Sequence, residues 1–187
     1  MKKIIGLLSF VIVSTSAVFS QPVYSAKGGQ ASFFSKSPME DIDAVSNSVN
    51  SFINTSNREV VFIIPMTSFK FAKALMQEHF NEKYVESDKY PTATYKGIIN
   101  EPLDFSKDGE YTLTAAGKLT MHGVEKERTD TATVVVKDGK ASLNTKFKIK
   151  VADYKIEIPK LVVQNIAEEV DVTINTLYTP HKSTEKK

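Results

Sequence analysis

The chain has 187 residues, of which 41% are hydrophobic and 25% charged, with 24 Lys plus Arg, 22 Asp plus Glu, no Cys and no Trp. A chain of this length is expected to form one domain. It is too apolar and too balanced in charge for a disordered protein. It also lacks the glycine period of a fibre and the repeated apolar runs of a helical membrane protein. These counts favour a globular domain.

Residues 1–20 have the layout of a secretory signal peptide. Lys2 and Lys3 precede an uncharged apolar run over residues 4–19, and small residues lead to Ser20. The run is shorter than the roughly 20 apolar residues of a membrane-spanning helix, so a retained anchor is the weaker alternative. Because no Cys follows the run, a lipid-anchored lipoprotein is excluded. We therefore expect export to the periplasm or the exterior, with cleavage after Ser20.

Cleavage would make the chain electrically neutral. It would remove Lys2 and Lys3 and no acid, so that 22 basic residues face 22 acidic ones. A neutral chain without a basic block lacks the electrostatic footprint of a nucleic-acid-binding protein, so no nucleic-acid partner is expected. Without disulfides, the domain must be stabilised by its own core. We assign this domain to residues 21–178 and a polar C-terminal tail to residues 179–187.

Hydrophobic and polar residues alternate with a period of two through most of the chain, which is the pattern of strands with one buried face. In chain order, the alternation and the β-branched and aromatic content predict strands at residues 31–35, 48–53, 60–64, 92–100, 111–121, 131–136, 141–151 and 170–178. The seventh is the clearest, because Lys146, Lys148 and Lys150 share one face. A helix would scatter these three side chains around its axis.

One region breaks the alternation. Between Pro65 and Pro91, apolar residues recur at helical spacing and predict a short amphipathic helix over residues 68–80. Residues 162–169 are compatible with a further helical turn.

Tight turns separate several of the predicted strands. Asp138-Gly139 is a strong hairpin signal, because both central positions of the favoured turn need a positive φ. His122-Gly123 follows the strand at 111–121 in the same way. Strands joined by such turns are antiparallel. About eight of them predict an all-β fold with short helical insertions, built as a barrel or a sandwich.

The sequence offers little catalytic chemistry. Its three histidines, His79, His122 and His181, lie far apart in the chain, and one imidazole does not make a metal site. No Gly-x-Ser-x-Gly elbow, phosphate-binding glycine loop or dinucleotide fingerprint is present. We predict no catalytic residue, no metal and no cofactor.

A barrel of about eight strands either fills with side chains or holds one small ligand. Ala115 and Gly117 lie between Leu113 and Leu119 on one face of a predicted strand. These small residues either make room for a ligand or relieve packing against a neighbouring strand, and the pattern favours neither.

Three stretches of the chain match motifs of a known family in their order. They are Leu75-Met76-x-Glu78-His79-Phe80-Asn81 with Lys89-Tyr90-Pro91-x-Ala93 and Lys96-Gly97; Gly117-x-Leu119-Thr120-x-His122-Gly123-Val124; and Asp153-Tyr154-x-Ile156 followed by Pro159. In these stretches the sequence resembles the YceI-like family of lipid-binding proteins. It departs from the family at Lys155, where members often have Gly, and at residues 125–128.

The resemblance implies an exported bacterial protein with an extended antiparallel β-barrel of lipocalin-like shape, whose apolar interior holds a polyisoprenoid or a similar amphiphile. We expect a protein that sequesters or carries an isoprenoid or fatty-chain lipid and that touches the membrane surface transiently, and we do not expect an enzyme. The sequence leaves open whether it forms a homodimer. The side chains predicted to line the interior are Phe62, Ile64, Phe71, Leu75, Met76, Tyr95, Leu113, Leu119, Phe147 and Ile149. The predicted polar contacts are His122 and Tyr154.

Two alternatives share some of these features. A small outer-membrane β-barrel would have the same signal peptide and alternation, but with the apolar face turned outward. A lipid-modifying enzyme would use His122 as its acid or base, for which the sequence offers no partner.

Overall fold

The computed structural model describes residues 23–36, 41–158 and 167–181. The predicted signal peptide lies outside these residues. The described residues contain one α-helix, α1 (Ala74–His79), which continues into a π-helical turn at Phe80–Tyr84, and 3₁₀ turns at Met66–Ser68 and Val151–Tyr154. Their strands are β1 (Val23–Ser35), β2 (Ile42–Asn54), β3 (Glu59–Pro65), β4 (Lys70–Phe71), β5 (Thr92–Ile99), β6 (Gly109–Met121), β7 (Val124–Lys137), β8 (Lys140–Lys150) and β9 (Glu169–Pro180).

Eight of these strands form a closed antiparallel barrel. Their order is β1, β2, β3, β5, β6, β7, β8 and β9, and β9 pairs with β1 to complete the ring. The two-residue β4 lies beside the ring and pairs with the beginning of β2. The predicted all-β barrel with short helical insertions is therefore confirmed. A sandwich is not formed, because β1 is hydrogen-bonded on both sides.

The alternation places apolar side chains inside the barrel and polar side chains outside. On β8, Leu143 and Ile149 are buried, whereas Lys146, Lys148 and Lys150 are exposed. Every second residue of β8 therefore faces the barrel core, as the pattern predicts.

Two of the connections are two-residue hairpin turns at the predicted positions. Asp138 and Gly139 have φ values of 51° and 69°, and His122 and Gly123 have values of 51° and 72°. Both central residues of each turn are thus left-handed, which matches the right-handed twist of the strands they join.

The predicted helix at 68–80 is wrong in its first half. The helix begins only at Ala74, because Lys70 and Phe71 form β4 opposite β2. The Ser68 hydroxyl lies 2.6 Å from the Ser46 hydroxyl of β2 and also fixes the preceding turn. Pairing with the barrel thus overrides a helical spacing that is only a weak preference on its own.

Two further predictions concern the C-terminal part of the chain. Residues 162–166 of the predicted helical turn lie outside the described residues, and Glu169 begins β9. Strand β9 extends to Pro180, two residues into the segment that we assigned to the polar tail. The backbone N–H of His181 then donates to the carbonyl of Val23 at 2.7 Å, which holds the two ends of the described chain together.

The two ends of the barrel differ in structure. One end carries α1 and the π-helical turn. There Phe33, Phe69, Phe71 and Phe80 form an aromatic cluster with ring centroids 5.0–5.8 Å apart. We call it the helical end. The opposite end carries the turns after β2 and β7 and both chain ends of the described barrel. It holds the fully buried Tyr178.

Candidate functional site

The barrel encloses a cavity of about 350 Å³, which is within the usual range for small-molecule sites. Side chains from all eight barrel strands line it, with Ile42 as the contribution of β2, and β4, α1 and the π-helical turn contribute near the helical end. Aliphatic and aromatic side chains predominate. The cavity therefore offers burial to an apolar molecule rather than a set of polar contacts.

Nine of the twelve predicted site residues lie on this wall. They come from six different elements of the structure, and are Phe62, Ile64, Phe71, Met76, Tyr95, Leu113, Leu119, Phe147 and Ile149. Their contact with a ligand stays a prediction. His79, which belongs to the first family motif but not to the predicted site residues, also lies on the wall.

The other three predicted residues lie away from the cavity wall. Leu75 projects from α1 into solvent with 60% of its surface exposed. Its neighbour Met76 lines the cavity instead, because one step along a short helix turns the side chain by about 100°. Tyr154 is buried in the 3₁₀ turn after β8, and His122 lies in the hairpin between β6 and β7.

His122 connects three segments at the helical end. Its Nδ1 donates to the carbonyl oxygen of Tyr154 at 2.9 Å, and its Nε2 lies 2.8 Å from a carboxylate oxygen of Glu86. The Tyr90 ring packs edge-on against the imidazole at 4.7 Å. Both ring nitrogens therefore have protein partners. His122 therefore holds the hairpin to the segments that follow α1 and β8.

We expect His122→Ala to destabilise the protein by about 1–3 kcal/mol, because it removes two hydrogen bonds from a side chain that is only 10% exposed. Urea unfolding measures this change. His181→Ala is the matched control: His181 is exposed, makes one long hydrogen bond of 3.3 Å to Ser25 and packs its ring edge-on against Phe52 at 6.5 Å. Equal effects of the two substitutions would contradict a stabilising role of the His122 hydrogen bonds.

Lys155 follows the buried Tyr154 with a φ of 55°. This is the left-handed conformation that glycine adopts at no steric cost. The position at which the sequence departs from the YceI-like motif is therefore one where the backbone itself favours the family's glycine.

The roles of Ala115 and Gly117 differ. Ala115 lies on the cavity wall, so its small side chain leaves space inside the barrel. At Gly117, a Cβ atom would lie 2.3 Å from the carbonyl oxygen of Lys96 and 2.5 Å from the Cα of Gly97. Gly117 thus permits close approach of β5 and β6. Of the two interpretations of these small residues, room for a ligand applies to Ala115, and relief of packing against a neighbouring strand applies to Gly117.

Gly117→Ala should destabilise the barrel by about 1–3 kcal/mol, because the added methyl group meets backbone atoms that cannot turn away. The free energy of unfolding in urea tests this. As a control, Ala116→Val adds atoms at the exposed neighbouring position of β6 and should change stability by less than about 0.5 kcal/mol. A fully stable Gly117→Ala protein would show that the two strands can separate without cost.

Tyr95 brings a hydroxyl group to the wall. This hydroxyl donates to the carbonyl oxygen of Ala115 at 3.0 Å, and the ring lies 6.4 Å from that of Phe62. Burial raises the pKa of the Tyr95 phenol to about 12, so the side chain is neutral in the physiological range. Its polar atom is bonded to the barrel, and its ring forms part of the apolar lining.

Two charged residues on the wall were not predicted from the sequence. Arg128 and Asp130 project inward from β7 and form an ion pair, with Arg128 Nη2 donating to Asp130 Oδ1 at 2.7 Å and Nε donating to Oδ2. The guanidinium carbon lies 4.2 Å from the centre of the Phe147 ring. A signal existed, because both residues have the same parity as the inward-facing Val134 and Val136.

Residues 23–36, 41–158 and 167–181, which the structure describes, contain no cluster of three or more His, Cys, Asp or Glu side chains able to hold a metal ion. Within the same ranges, every helix is too short or too polar to cross a membrane.

The fold and cavity define a closed antiparallel barrel with an apolar chamber, and the comparisons with known proteins give its family. Residues 24–177 match the family model of the YceI-like domain. The chain belongs to the YceI-like family. The predicted family membership is therefore confirmed. The search of curated proteins found no match.

Solved structures share this fold at low sequence identity. A polyisoprenoid-binding domain from Saccharophagus degradans is 17% identical, with a TM-score of 0.72 over 84% of this chain and 98% of that one. BcnA from Burkholderia cenocepacia is 15% identical, with a TM-score of 0.67 over 80% of this chain and 95% of its own. The YceI protein of Campylobacter jejuni is 18% identical, with a TM-score of 0.51 over 98% and 100% of the two chains.

Proposed function

We propose that this protein sequesters or carries a polyisoprenoid or another long-chain amphiphilic lipid inside its barrel, in the periplasm or after secretion. The observation that carries the proposal is the apolar cavity of about 350 Å³ enclosed by the strands. The S. degradans domain of the same fold, which is described as polyisoprenoid-binding, supports the same class of ligand.

Burial of an apolar chain provides enough free energy for such binding. Each buried methylene contributes about 0.8 kcal/mol, so about fifteen contribute roughly 12 kcal/mol before other terms. Association costs about 4–15 kcal/mol, which leaves affinities from negligible to tight. A lipid can therefore be held without a charged contact, and the length of its buried chain determines its affinity.

The distribution of side chains favours a binding protein over the two alternatives. The outward face of β8 carries Lys146, Lys148 and Lys150, whereas an outer-membrane barrel needs an apolar band there. The enzyme hypothesis depends on His122, whose two nitrogens are both bonded to protein oxygens away from the cavity wall. Export follows from the signal-peptide pattern of residues 1–20 and remains part of the proposal.

Native mass spectrometry of protein purified from its own host tests the proposed function. We expect an added mass that organic extraction removes and that reappears when an isoprenoid lipid is supplied. A protein that carries no lipid from its host and binds no isoprenoid or fatty-chain lipid afterwards would contradict the proposal. Cell fractionation tests the location, because recovery in the membrane pellet after a carbonate wash would favour the outer-membrane alternative.

A further inference from the structure

An ion pair is an unusual component of an apolar cavity wall. Among the described residues that line the cavity, Arg128 and Asp130 alone are of the types Lys, Arg, Asp or Glu. Their side chains are only 16% and 20% exposed. Arg128 is four residues into β7, which places it about 13 Å along the strand from Val124.

Stability alone does not explain this pair. Two charges that leave water lose their hydration, and replacing a buried ion pair by apolar side chains of similar volume is often neutral or stabilising. Elsewhere on the cavity wall, the described residues have apolar or neutral side chains. The hydrogen-bonding groups that the pair leaves available therefore bear on its role.

The guanidinium of Arg128 has donors to spare. Asp130 accepts from Nε and Nη2, and the carbonyl oxygen of Lys148 lies 3.5 Å from Nη2. One face of the group is covered by the Phe147 ring, and the Tyr154 phenol also forms a hydrogen bond with it. A guanidinium has five N–H groups, so at least one remains after these partners. This remaining donor belongs to an ion pair in which the charges of Arg128 and Asp130 cancel.

From this geometry, and resting on the proposed lipid-binding function, we propose that Arg128 and Asp130 form a polar subsite that selects lipids with an uncharged acceptor group, such as a hydroxyl or carbonyl, over anionic lipids. A neutral acceptor takes a hydrogen bond from Arg128 and leaves the ion pair intact. A phosphate or carboxylate at the same place lies beside the Asp130 carboxylate in an apolar chamber, where it is both repelled and poorly solvated.

Two probes with the same tail test the selectivity. Farnesol has an uncharged hydroxyl head, and farnesyl diphosphate has an anionic head. We expect the delipidated wild-type protein to bind farnesol at least about tenfold more tightly, a modest specificity for one charged group. Asp130→Asn frees the charge of Arg128, so the ratio of the two dissociation constants should move toward the diphosphate by at least about tenfold.

Two further variants distinguish this effect from damage to the fold. Glu125→Gln removes an acid of the same strand that pairs with Lys118 on the exposed outer surface, and it should leave the ratio unchanged. The exchange Arg128→Asp with Asp130→Arg keeps the pair neutral, so it should retain the preference for farnesol. Thermal unfolding of each variant shows that the barrel has formed.

The outcomes are distinct. Equal binding of the two probes by the wild type, or an unchanged ratio in a folded Asp130→Asn protein, would overturn the selectivity and leave lipid binding intact. If Asp130→Asn does not fold, loss of the preference in the folded exchange variant overturns the inference, and its retention supports it. A wild-type protein that binds neither probe nor any other lipid contradicts the proposed function, and this inference with it.

Discussion

Replacing Ala115 by Phe is expected to weaken lipid binding about a hundredfold while the barrel stays folded. The side chain of Ala115 faces the cavity, so the new ring takes up space that a lipid chain would use. Excluding about four methylenes removes roughly 3 kcal/mol of burial, and each 1.4 kcal/mol is tenfold in affinity. The cavity of about 350 Å³ has room for the ring, which limits the overpacking cost. Fluorescence competition with a bound lipid measures the change.

Ala116→Phe is the matched control for this experiment. Ala116 is the next residue of β6 and is exposed on the outside of the barrel, so the same ring is added on the opposite face. We expect unchanged lipid affinity and unchanged stability. If both variants bind lipid as tightly as the wild type, the ligand does not occupy the barrel interior. The proposed site would then be wrong even though lipid binding is real.

Replacing Tyr178 by Ala should destabilise the protein by about 3–5 kcal/mol, the range for truncating a large buried aromatic side chain. Tyr178 is fully buried, and its hydroxyl lies 2.5 Å from that of Ser51. Because Ser51 donates to the carbonyl oxygen of Val61, the Tyr178 hydroxyl is the donor to Ser51. Burial raises the pKa of Tyr178 to about 12, which fits a phenol held in its neutral form.

Leu177 provides the control at the neighbouring position. It is 56% exposed on the outside of β9, so Leu177→Ala should change the free energy of unfolding by less than about 0.5 kcal/mol. Tyr178→Phe separates packing from hydrogen bonding, since it retains the ring and removes the donor; we expect a loss of about 1 kcal/mol. Urea unfolding measures all three. A small effect of Tyr178→Ala would contradict a closely packed end of the barrel.

The strands and hairpins could be predicted from the sequence because local rules determine them. A period of two in side-chain polarity places the eight barrel strands, and the Asp138-Gly139 and His122-Gly123 pairs place two of the turns. The helix was misplaced for a different reason. Phe69 and Ala72 fit a helical face by spacing, but the pairing of Lys70 and Phe71 with β2, which lies far away in the chain, determines the conformation of this segment. Local periodicity contains no information on that pairing.

The cavity wall was predicted in its apolar part and missed in its charged part. Side chains such as Phe62 and Leu119 follow from the alternation, because apolar residues on one face are expected to be buried. Arg128 and Asp130 were not predicted because charged side chains are usually solvated. Their charge therefore suggested an outward orientation, although their positions in the alternation of β7 indicate an inward one. Extending the alternation of β7 back from Val134 would have identified both as inward-facing.

The pairing of β1 with β9 has a consequence for how the molecule folds. This seam joins residues near the two ends of the described chain, with Phe34 opposite Asp171 and Tyr24 opposite Pro180. Contacts of such long sequence separation form late and slowly, typically in milliseconds to seconds for barrels of this kind. Until β9 is in place, the wall has a gap and encloses nothing. We expect this seam to close late in folding, so that a lipid present at that stage is enclosed as the chamber is completed.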